Sequence, residues 1–210
     1  MAAETIEPVA VAVLAKAPIP GFAKTRLIPV LGSEGAATLQ ARLTERAVAT
    51  ACGAGIGPVT LWGAPDEYHA TFQAIRAHHG IALARQPEGD LGARILAALM
   101  AANAPALVIG TDCPALTAGE LRTAADVLRG GTDVVIFPTA DGGYALIGAL
   151  RPEPALFSGM RWSTAGVMEE TRRRLKRLGL SWREPAELWD VDEPADLERL
   201  RKLGLLTSPQ

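Results

Sequence analysis

The sequence predicts an α/β protein built on a doubly wound, mostly parallel mixed sheet. Short apolar runs alternate with longer amphipathic segments along the 210 residues, an order typical of sheets covered by helices. Several of these runs are continuously apolar, as expected for parallel strands buried on both faces. The turn sequence Asp141-Gly142-Gly143 joins two adjacent apolar runs, which indicates a hairpin and therefore an antiparallel pairing.

The individual elements follow from these runs and from the residue types at their ends. We predict strands at residues 9–15, 58–63, 81–85, 106–110, 133–138, 144–149 and 180–183. We predict helices at residues 33–52, 66–79, 92–102, 117–129, 163–178 and 194–203. Residues suited to helix ends are Ser33, Asp66, Thr117 and Ser163 or Thr164 as N-caps, and Gly130 and Gly179 as C-terminal glycines.

Size and composition favour a single domain spanning residues 1–210. The chain is 49% apolar, enough for a substantial core, and no change in composition marks a second domain. A net charge of −2 argues against a general nucleic-acid or membrane-surface binder. Two cysteines are too few for a disulfide framework, and the acidic N-terminus lacks the apolar core of a signal peptide. We therefore expect a soluble, cytoplasmic protein.

A basic segment, residues 16–27, follows the first predicted strand. It carries Lys16, Lys24 and Arg26 and no acidic residue, and two prolines and Gly21 restrict and bend its backbone. A turn-rich segment between a strand and a helix is a common phosphate-binding position in α/β proteins. It is no Walker loop, because neither lysine follows a glycine. We interpret it as a phosphate site, with a solvated surface loop as the alternative.

Two acidic positions could hold a divalent cation. Asp112 directly follows the predicted strand 106–110, and a carboxylate there suits Mg²⁺, although it could instead cap the next turn. Asp192 precedes a predicted helix, so metal binding competes with N-capping for its oxygens. Asp190 would point to the same side as Asp192 if this segment is extended.

Two further clusters also follow predicted strands. Asp90 suits the N-cap of a helix, while Arg94 on that helix could face a phosphate or an acidic substrate. The segment Asp141-Gly142-Gly143-Tyr144 reads equally well as a simple turn or as a ligand contact, with Asp141 and Tyr144 as polar groups. The carboxyl ends of parallel strands meet at one edge of a sheet, so we expect all these clusters to lie together.

Three other features do not indicate chemistry. His78 and His79 are adjacent and would not share a helical face, so we do not expect them to bind a metal together. No base that could activate Cys113 is evident. The four tryptophans, including Trp162, fit packing better than ligand stacking.

Taken together, the motifs resemble a bacterial family of glycosyltransferase-like transferases associated with radical-SAM or selenoprotein genes. The motifs that carry this resemblance are Lys16-Ala17-Pro18-Ile19-Pro20-Gly21, Lys24-Thr25-Arg26-Leu27, Gly89-Asp90-Leu91-Gly92, Gly110-Thr111-Asp112-Cys113-Pro114, Asp141-Gly142-Gly143-Tyr144 and Asp190-Val191-Asp192. The resemblance implies a GT-A-like nucleotide-diphospho-sugar transferase fold. More distantly, Ala23–Leu27 resembles a segment of the 2-phospho-lactate guanylyltransferases.

The resemblance also implies roles for particular residues. In nucleotidyltransferases of this fold, a basic loop holds the triphosphate and two aspartates hold Mg²⁺, so Asp112 and Asp192 are the expected ligands of Mg²⁺ or Mn²⁺. The expected nucleotide-binding residues are Lys16, Gly21, Lys24, Thr25, Arg26, Asp90 and Arg94. Lys24, Arg26 and Asp112 are the expected catalytic residues, and Asp141, Gly142, Gly143 and Tyr144 the expected acceptor-binding residues.

The leading hypothesis is a Mg²⁺-dependent nucleotidyltransferase that joins a nucleoside monophosphate to a small phosphorylated or acidic acceptor. A glycosyltransferase that uses a nucleotide sugar on the same fold is one alternative, and a non-catalytic nucleotide-binding module is another. The basic loop has Pro18 and Pro20 where sugar nucleotidyltransferases are rich in glycine, which leaves the identity of the nucleotide open.

Overall fold

A seven-stranded mixed sheet forms the centre of the protein. The computed structural model describes residues 7–103 and 105–204. Its strands are β1 (Ala10–Lys16), β2 (Val59–Ala64), β3 (Ala82–Arg85), β4 (Ala106–Ile109), β5 (Val134–Pro138), β6 (Tyr144–Ala149) and β7 (Trp182–Arg183). They lie in the order β3-β2-β1-β4-β6-β5-β7, and β6 runs antiparallel to both of its neighbours. The predicted fold class and the β5–β6 hairpin are therefore confirmed.

Helices cover both faces of this sheet. They are α1 (Ile28–Ala54), α2 (Ala70–His79), α3 (Leu91–Ala102), α4 (Ala118–Arg129), α5 (Pro154–Phe157), α6 (Val167–Leu178) and α7 (Leu197–Lys202), with 3-10 turns at Thr25–Leu27 and Pro194–Asp196. One core cluster joins the sheet to α1, α2 and α4, and a second joins it to α3, α5 and α6. Successive residues of β1, such as Ala12 and Val13, enter opposite clusters because side chains along a strand alternate in direction. None of the described helices has both the length and the apolarity needed to cross a membrane.

A third, smaller cluster fixes the C-terminal segment. Leu27, in the turn before α1, and Leu39 and Leu43, within α1, pack against Val191, Leu197 and Leu200. All six side chains are buried. This contact holds the acidic residues around Val191 against the loop that follows β1.

Two helix starts differ from the prediction. The first helix begins at Ile28, and a kink at Gly32, where φ is 69°, precedes the predicted start at Ser33. The cap of α2 is the imidazole Nδ1 of His69, which accepts from the N–H of Thr71. The predicted cap, Asp66, instead accepts from the N–H of Tyr68 in the preceding turn.

Other ends show where local signals suffice. Thr117 caps α4 in a reciprocal pair with Glu120, as predicted, and Gly179 ends α6 at a φ of 68°. Gly130 ends α4 but has a φ of −73°, so it is not left-handed. Neither Ser163 nor Thr164 caps α6, which begins only at Val167.

The prediction about the extreme N-terminus concerns residues 1–7, of which residues 1–6 lie outside the described residues.

Candidate active site

A cleft of about 640 Å³ opens at the carboxyl edge of the sheet, within the range of roughly 300–1,000 Å³ typical of small-molecule sites. Its walls come from the segments after β1, β3 and β4, from the β5–β6 turn and from the chain around Trp162 and Asp192. The clusters singled out in the sequence thus lie around one opening. Their assembly follows from topology, because β1, β3, β4 and β5 all end at this edge.

Lys24 is an enclosed cation of the cleft. Its side chain is 5% exposed, and Nζ lies 2.8 Å from Asp112 Oδ1 and 3.6 Å from Asp192 Oδ1. Nζ also donates to the carbonyl of Val191 at 2.5 Å. The local sequence of the basic segment contains no anion, but the folded chain brings anions to it. The carboxylates of Asp112 and Asp192, both distant in the chain, contact Lys24.

The backbone around Val191 builds this arrangement. The N–H of Val191 donates to the carbonyl of Asp112 at 2.8 Å, which ties the C-terminal segment to the end of β4. The N–H groups of Asp192 and Glu193 donate to Asp196 Oδ2. The N-cap of the turn Pro194–Asp196 is Glu193, with Asp196 reaching back from within the turn, so Asp192 does not take the capping role that its sequence position allowed. The Asp192 carboxylate contacts Lys24 and Arg26 instead.

A short chain of buried polar groups orients Asp112. Gln40 Nε2 donates to Thr111 Oγ1 at 3.1 Å, and this hydroxyl donates to Asp112 Oδ1 at 3.1 Å. Gln40 and Thr111 are both buried. The same carboxylate oxygen receives the hydrogen bond from Thr111 and the ion pair from Lys24, so its direction is fixed from two sides.

The donor set around Lys24 fits a hard divalent cation. Three oxygens converge on its ammonium nitrogen, one each from Val191, Asp112 and Asp192. Carboxylate and carbonyl oxygens are the ligands that Mg²⁺ and Mn²⁺ prefer, and one or two carboxylates are the usual number for Mg²⁺. The position of Asp112 and Asp192 is therefore compatible with the metal role expected from the sequence.

Asp190 is a cleft residue that the expected metal pair left out. Burial raises its pKa to about 6, and the nearby carboxylates of Asp141, Asp192 and Asp112 add to the rise. Four carboxylates therefore share this side of the cleft. The signal was present in the sequence, since Asp190 and Asp192 are two residues apart and alternate residues of an extended segment face the same way.

The β5–β6 turn uses its polar groups mainly on itself. Asp141 Oδ1 accepts from Thr139 Oγ1 and from the N–H of Gly143. A Cβ at Gly142 would lie 2.1 Å from the carbonyl oxygen of Ala165, so this glycine allows the turn to approach the loop before α6. Asp141, Gly143 and Tyr144 line the cleft, whereas Gly142 faces Ala165.

Lys16, Arg26 and Arg94 are three further cations that line the cleft. Lys16 and Arg26 line the cleft with Thr25. Within the described part of the chain, Lys16 has no ion-pair partner, and Arg26 reaches Asp192 Oδ2 at 3.4 Å. Arg94 donates through its NH1 group to Gln86 Oε1 at 3.3 Å. Arg94 Nε is buried with no hydrogen-bond partner in the described structure. We expect this donor to need a ligand or water oxygen.

Two expected nucleotide-binding residues have evident structural roles. Asp90 Oδ1 accepts from the N–H of Ala93 and so caps α3, as its alternative interpretation held. Gly21 has a φ of 84° and permits the bend of the basic segment. Neither is among the residues that line the cleft.

Sequence reasoning missed two aromatic side chains of the cleft. Trp162 lines it and packs edge-on against Tyr144, with ring centroids 6.3 Å apart. Phe22 lines its mouth and is 76% exposed. The Tyr144 hydroxyl and the Trp162 indole N–H are buried and unpartnered in the described structure. Burial raises the pKa of Tyr144, so its phenol stays neutral.

The chain resembles known proteins both in sequence and in fold. A family model described as "Uncharacterized protein conserved in bacteria (DUF2064)" matches residues 47–164, more than half of the chain. The chain belongs to the DUF2064 family. The matched region includes Asp112 and the turn at Asp141, while the basic segment and Asp192 lie outside it. No curated protein matches the sequence.

Solved structures share the fold over nearly the whole chain. A candidate nucleotide-diphospho-sugar transferase from Desulfovibrio desulfuricans G20 is 27% identical, with a TM-score of 0.83 and coverage of 95% of this chain and 89% of the other. The 4-diphosphocytidyl-2C-methyl-D-erythritol synthase of Anaerococcus prevotii DSM 20548 is 11% identical, with a TM-score of 0.62 and coverage of 95% and 99%. Glucosyl-3-phosphoglycerate synthase of Mycobacterium tuberculosis, in complex with Mn²⁺ and UDP, is 11% identical, with a TM-score of 0.54 and coverage of 96% and 82%. The GT-A-like fold is thereby confirmed.

Of the features set aside in the sequence, Cys113 behaves as expected, whereas the histidine pair lies in a group of potential metal ligands. Burial raises the pKa of Cys113 to about 11, so its thiol stays protonated and inert, as expected. Potential ligand atoms of Glu45, His78 and His79, in contrast, lie within 4.8 Å of one another. Adjacent histidines at the end of a helix can meet a third residue from another helix, which the argument from helical faces overlooked. The two histidines lie at the end of α2 opposite the cleft, because α2 runs back from the carboxyl edge, and Glu45 lies on α1.

Proposed function

We propose that this protein is a divalent-cation-dependent nucleotidyltransferase. It would transfer a nucleoside monophosphate from a nucleoside triphosphate to a small phosphorylated or acidic acceptor. The observation that carries the proposal is the convergence of Asp112, Asp192 and the Val191 carbonyl on one cation, Lys24, beside further basic residues in a ligand-sized cleft. A polyphosphate with its metal ion requires such a combination of hard oxygen ligands and cations.

The presence of both basic and acidic side chains in the cleft supports this proposal. Lys16, Arg26 and Arg94 line it together with the four carboxylates. Phosphate oxygens would bind the basic side chains, and Asp112 and Asp192 would hold a Mg²⁺ or Mn²⁺ ion. When bound, the cation supplies positive charge beside the phosphoryl group under attack. The chain's own part is to hold the reacting groups in line.

An acidic acceptor also suits the chemistry of the cleft. The acceptor oxygen would form a bond to the α-phosphorus, and the bond from this phosphorus to the pyrophosphate oxygen would break. A phosphate or carboxylate oxygen carries no proton that must be removed, so the step needs no general base. The step therefore makes no demand on Tyr144 or Cys113, whose phenol and thiol stay protonated and cannot serve as a general base.

A glycosyltransferase that uses a nucleotide sugar is the second candidate. The observation that favours it is the 27% identity with a protein described as a candidate nucleotide-diphospho-sugar transferase. The number of basic groups favours the first candidate, because a diphosphate would need fewer of them. A non-catalytic nucleotide-binding module would bind nucleotides even when Asp112 is replaced.

Thermal shift measurements distinguish these candidates. The protein would be heated with each of a panel of nucleoside triphosphates and nucleotide sugars, with and without Mg²⁺. We expect a Mg²⁺-dependent rise in Tm with a triphosphate, lost in Asp112→Asn and kept in the surface control Asp126→Asn. A larger rise with a nucleotide sugar would favour glycosyl transfer, and a triphosphate effect that survives Asp112→Asn would favour the module. Pyrophosphate release then serves to search for the acceptor.

A further inference from the structure

We infer that Lys24 occupies the cation position of the nucleotide-free protein and leaves it when metal and nucleotide bind together. Its ammonium would move from the two aspartates to the incoming phosphates. The identity of the incoming ligand rests on the proposed function, whereas the occupancy of the cation position rests on the contacts of Lys24 alone. Lys24 would then determine that the site accepts a metal–nucleotide complex and resists the free metal.

The surroundings of the Lys24 ammonium resemble those of a bound cation. The nitrogen is enclosed by the Val191 carbonyl at 2.5 Å, Asp112 Oδ1 at 2.8 Å and Asp192 Oδ1 at 3.6 Å. A lysine is rarely this buried unless it is paired. Here the pairing uses the same oxygens that would serve a divalent ion.

Lys24 and a divalent cation cannot share these oxygens. Mg²⁺ binds its ligands at about 2.0–2.1 Å, so the ion would lie only a few ångströms from the ammonium. Two positive charges at that distance repel strongly in a partly buried site. Binding of the metal alone would therefore leave Lys24 enclosed without its anions, which is unfavourable.

A nucleotide removes this conflict. Lys24 lines the same cleft as Lys16 and Arg26, so phosphate oxygens in the cleft would lie within reach of its flexible side chain. Each ligand would then ease the binding of the other, and such coupling is reciprocal, typically about 5- to 150-fold.

The competing explanation is that Lys24 only clamps the C-terminal segment. Both explanations predict a loss of stability when Lys24 is replaced, and they differ in metal binding. The test is titration calorimetry with Mn²⁺ alone on the wild type, Lys24→Met and Lys16→Met. The control removes the same charge from the same cleft without touching the aspartates.

We expect Lys24→Met to bind Mn²⁺ about tenfold more tightly than the wild type, a change within the usual range of coupling. Lys16→Met should stay within about twofold, since it removes only a more distant charge. Addition of a non-hydrolysable triphosphate should tighten Mn²⁺ binding more in the wild type than in Lys24→Met. Equal or weaker Mn²⁺ binding by a folded Lys24→Met overturns the inference.

A measurement on the wild type covers the case in which Lys24→Met does not fold. The ¹⁵N resonance of the Lys24 Nζ should change little with Mg²⁺ alone and shift when Mg²⁺ and the triphosphate analogue are added together. A resonance that keeps its position with both ligands bound overturns the inference. The failure of the proposed function is distinguishable, because tighter Mn²⁺ binding by Lys24→Met would persist even if no nucleotide bound.

Discussion

The backbone N–H of Val191 donates to the carbonyl of Asp112 at 2.8 Å. Through this bond, a segment near the C-terminus joins the loop after a central strand. The carboxylates of Asp112 and Asp192 consequently both reach Lys24. The buried side chain of Val191 packs in a cluster with leucines of α1 and of the turn before it, which holds the segment in place. The candidate site thus depends on a small hydrophobic contact outside the main core.

Val191→Ala should loosen this contact. We expect a loss of stability on the order of 1–2 kcal/mol from the missing apolar packing, together with weaker Mn²⁺ binding because Asp192 is less well held. The matched control is Val127→Ala on α4, which shortens a partly buried valine remote from the cleft. Denaturant unfolding measures the loss of stability, and calorimetric titration measures the Mn²⁺ affinity. Unchanged Mn²⁺ affinity in Val191→Ala would separate the hydrophobic contact from the site.

Arg174 should contribute far more to stability than its neighbour Arg173. Both pair with Glu170, but Arg174 is buried and also donates to the carbonyls of Leu156, Ser158 and Gly159. We expect Arg174→Met to lower the free energy of unfolding by about 3 kcal/mol, since it leaves buried acceptors unpaired. Arg173→Met, at an exposed site, should cost less than about 1 kcal/mol. Urea denaturation of both variants measures these free energies of unfolding. Equal losses would contradict the difference between a buried and an exposed arginine.

Glu170 should make stability depend on pH in acid. Its hydrogen bonds with Arg173 and then Arg174 lower its pKa from 4.5 to about 2. A depressed pKa stabilises the folded state above the unfolded-state value, and this contribution is lost as pH falls from about 4.5 through 2. The deficit of Glu170→Gln relative to the wild type should therefore shrink over this window. Urea denaturation from pH 7 to pH 2 measures it.

Exposed Glu88 provides the control for this pH series. Its side chain is 92% exposed and pairs with Arg85 at the surface, so Glu88→Gln should keep a profile close to that of the wild type. A deficit of Glu170→Gln that is constant from pH 7 to pH 2 would show that the carboxylate charge does not cause it.

Gly142→Ala should disturb the turn beside the cleft. Gly142 has a φ of 89°, and its Cβ would meet the Ala165 carbonyl at 2.1 Å. Gly131→Ala is a matched control, since Gly131 has a φ of 87° and nothing within 4 Å of the added atom. Both variants carry the strain of a left-handed alanine, about 1 kcal/mol. Gly142→Ala should lose at least about 1 kcal/mol more, because the backbone itself must move. Equal Tm values for the two variants would be inconsistent with this contact.

Most of the fold could be predicted because its signals are local. The bounds of β6 agree with its apolar run, and the Thr117 cap was recognisable from its own sequence. The short helix α5 was missed because four residues carry no helical periodicity. The cap of α2 was assigned to Asp66 because propensity cannot reveal that a preceding turn already uses that carboxylate.

The candidate site was only partly predictable, because some of its contacts join segments that are far apart in the sequence. The strand-end rule brought its loops together, since β1, β4 and β5 end at one edge. The pairing of Lys24 with Asp112 and Asp192 depends on how the C-terminal segment docks, which sequence spacing does not encode. The position of Phe22 at the mouth likewise follows from the bend of the basic segment rather than from its composition.

The central claim is that Asp112 and Asp192 hold a divalent cation that binds together with a nucleotide. The most direct measurement is the affinity of a non-hydrolysable nucleoside triphosphate for the wild type and for Asp112→Asn/Asp192→Asn, with and without Mg²⁺. We predict that Mg²⁺ tightens binding to the wild type by tenfold or more, about 1.4 kcal/mol, and has no effect on the double variant. Equal Mg²⁺ enhancement in both proteins, or binding to the wild type that is indifferent to Mg²⁺, would contradict the account.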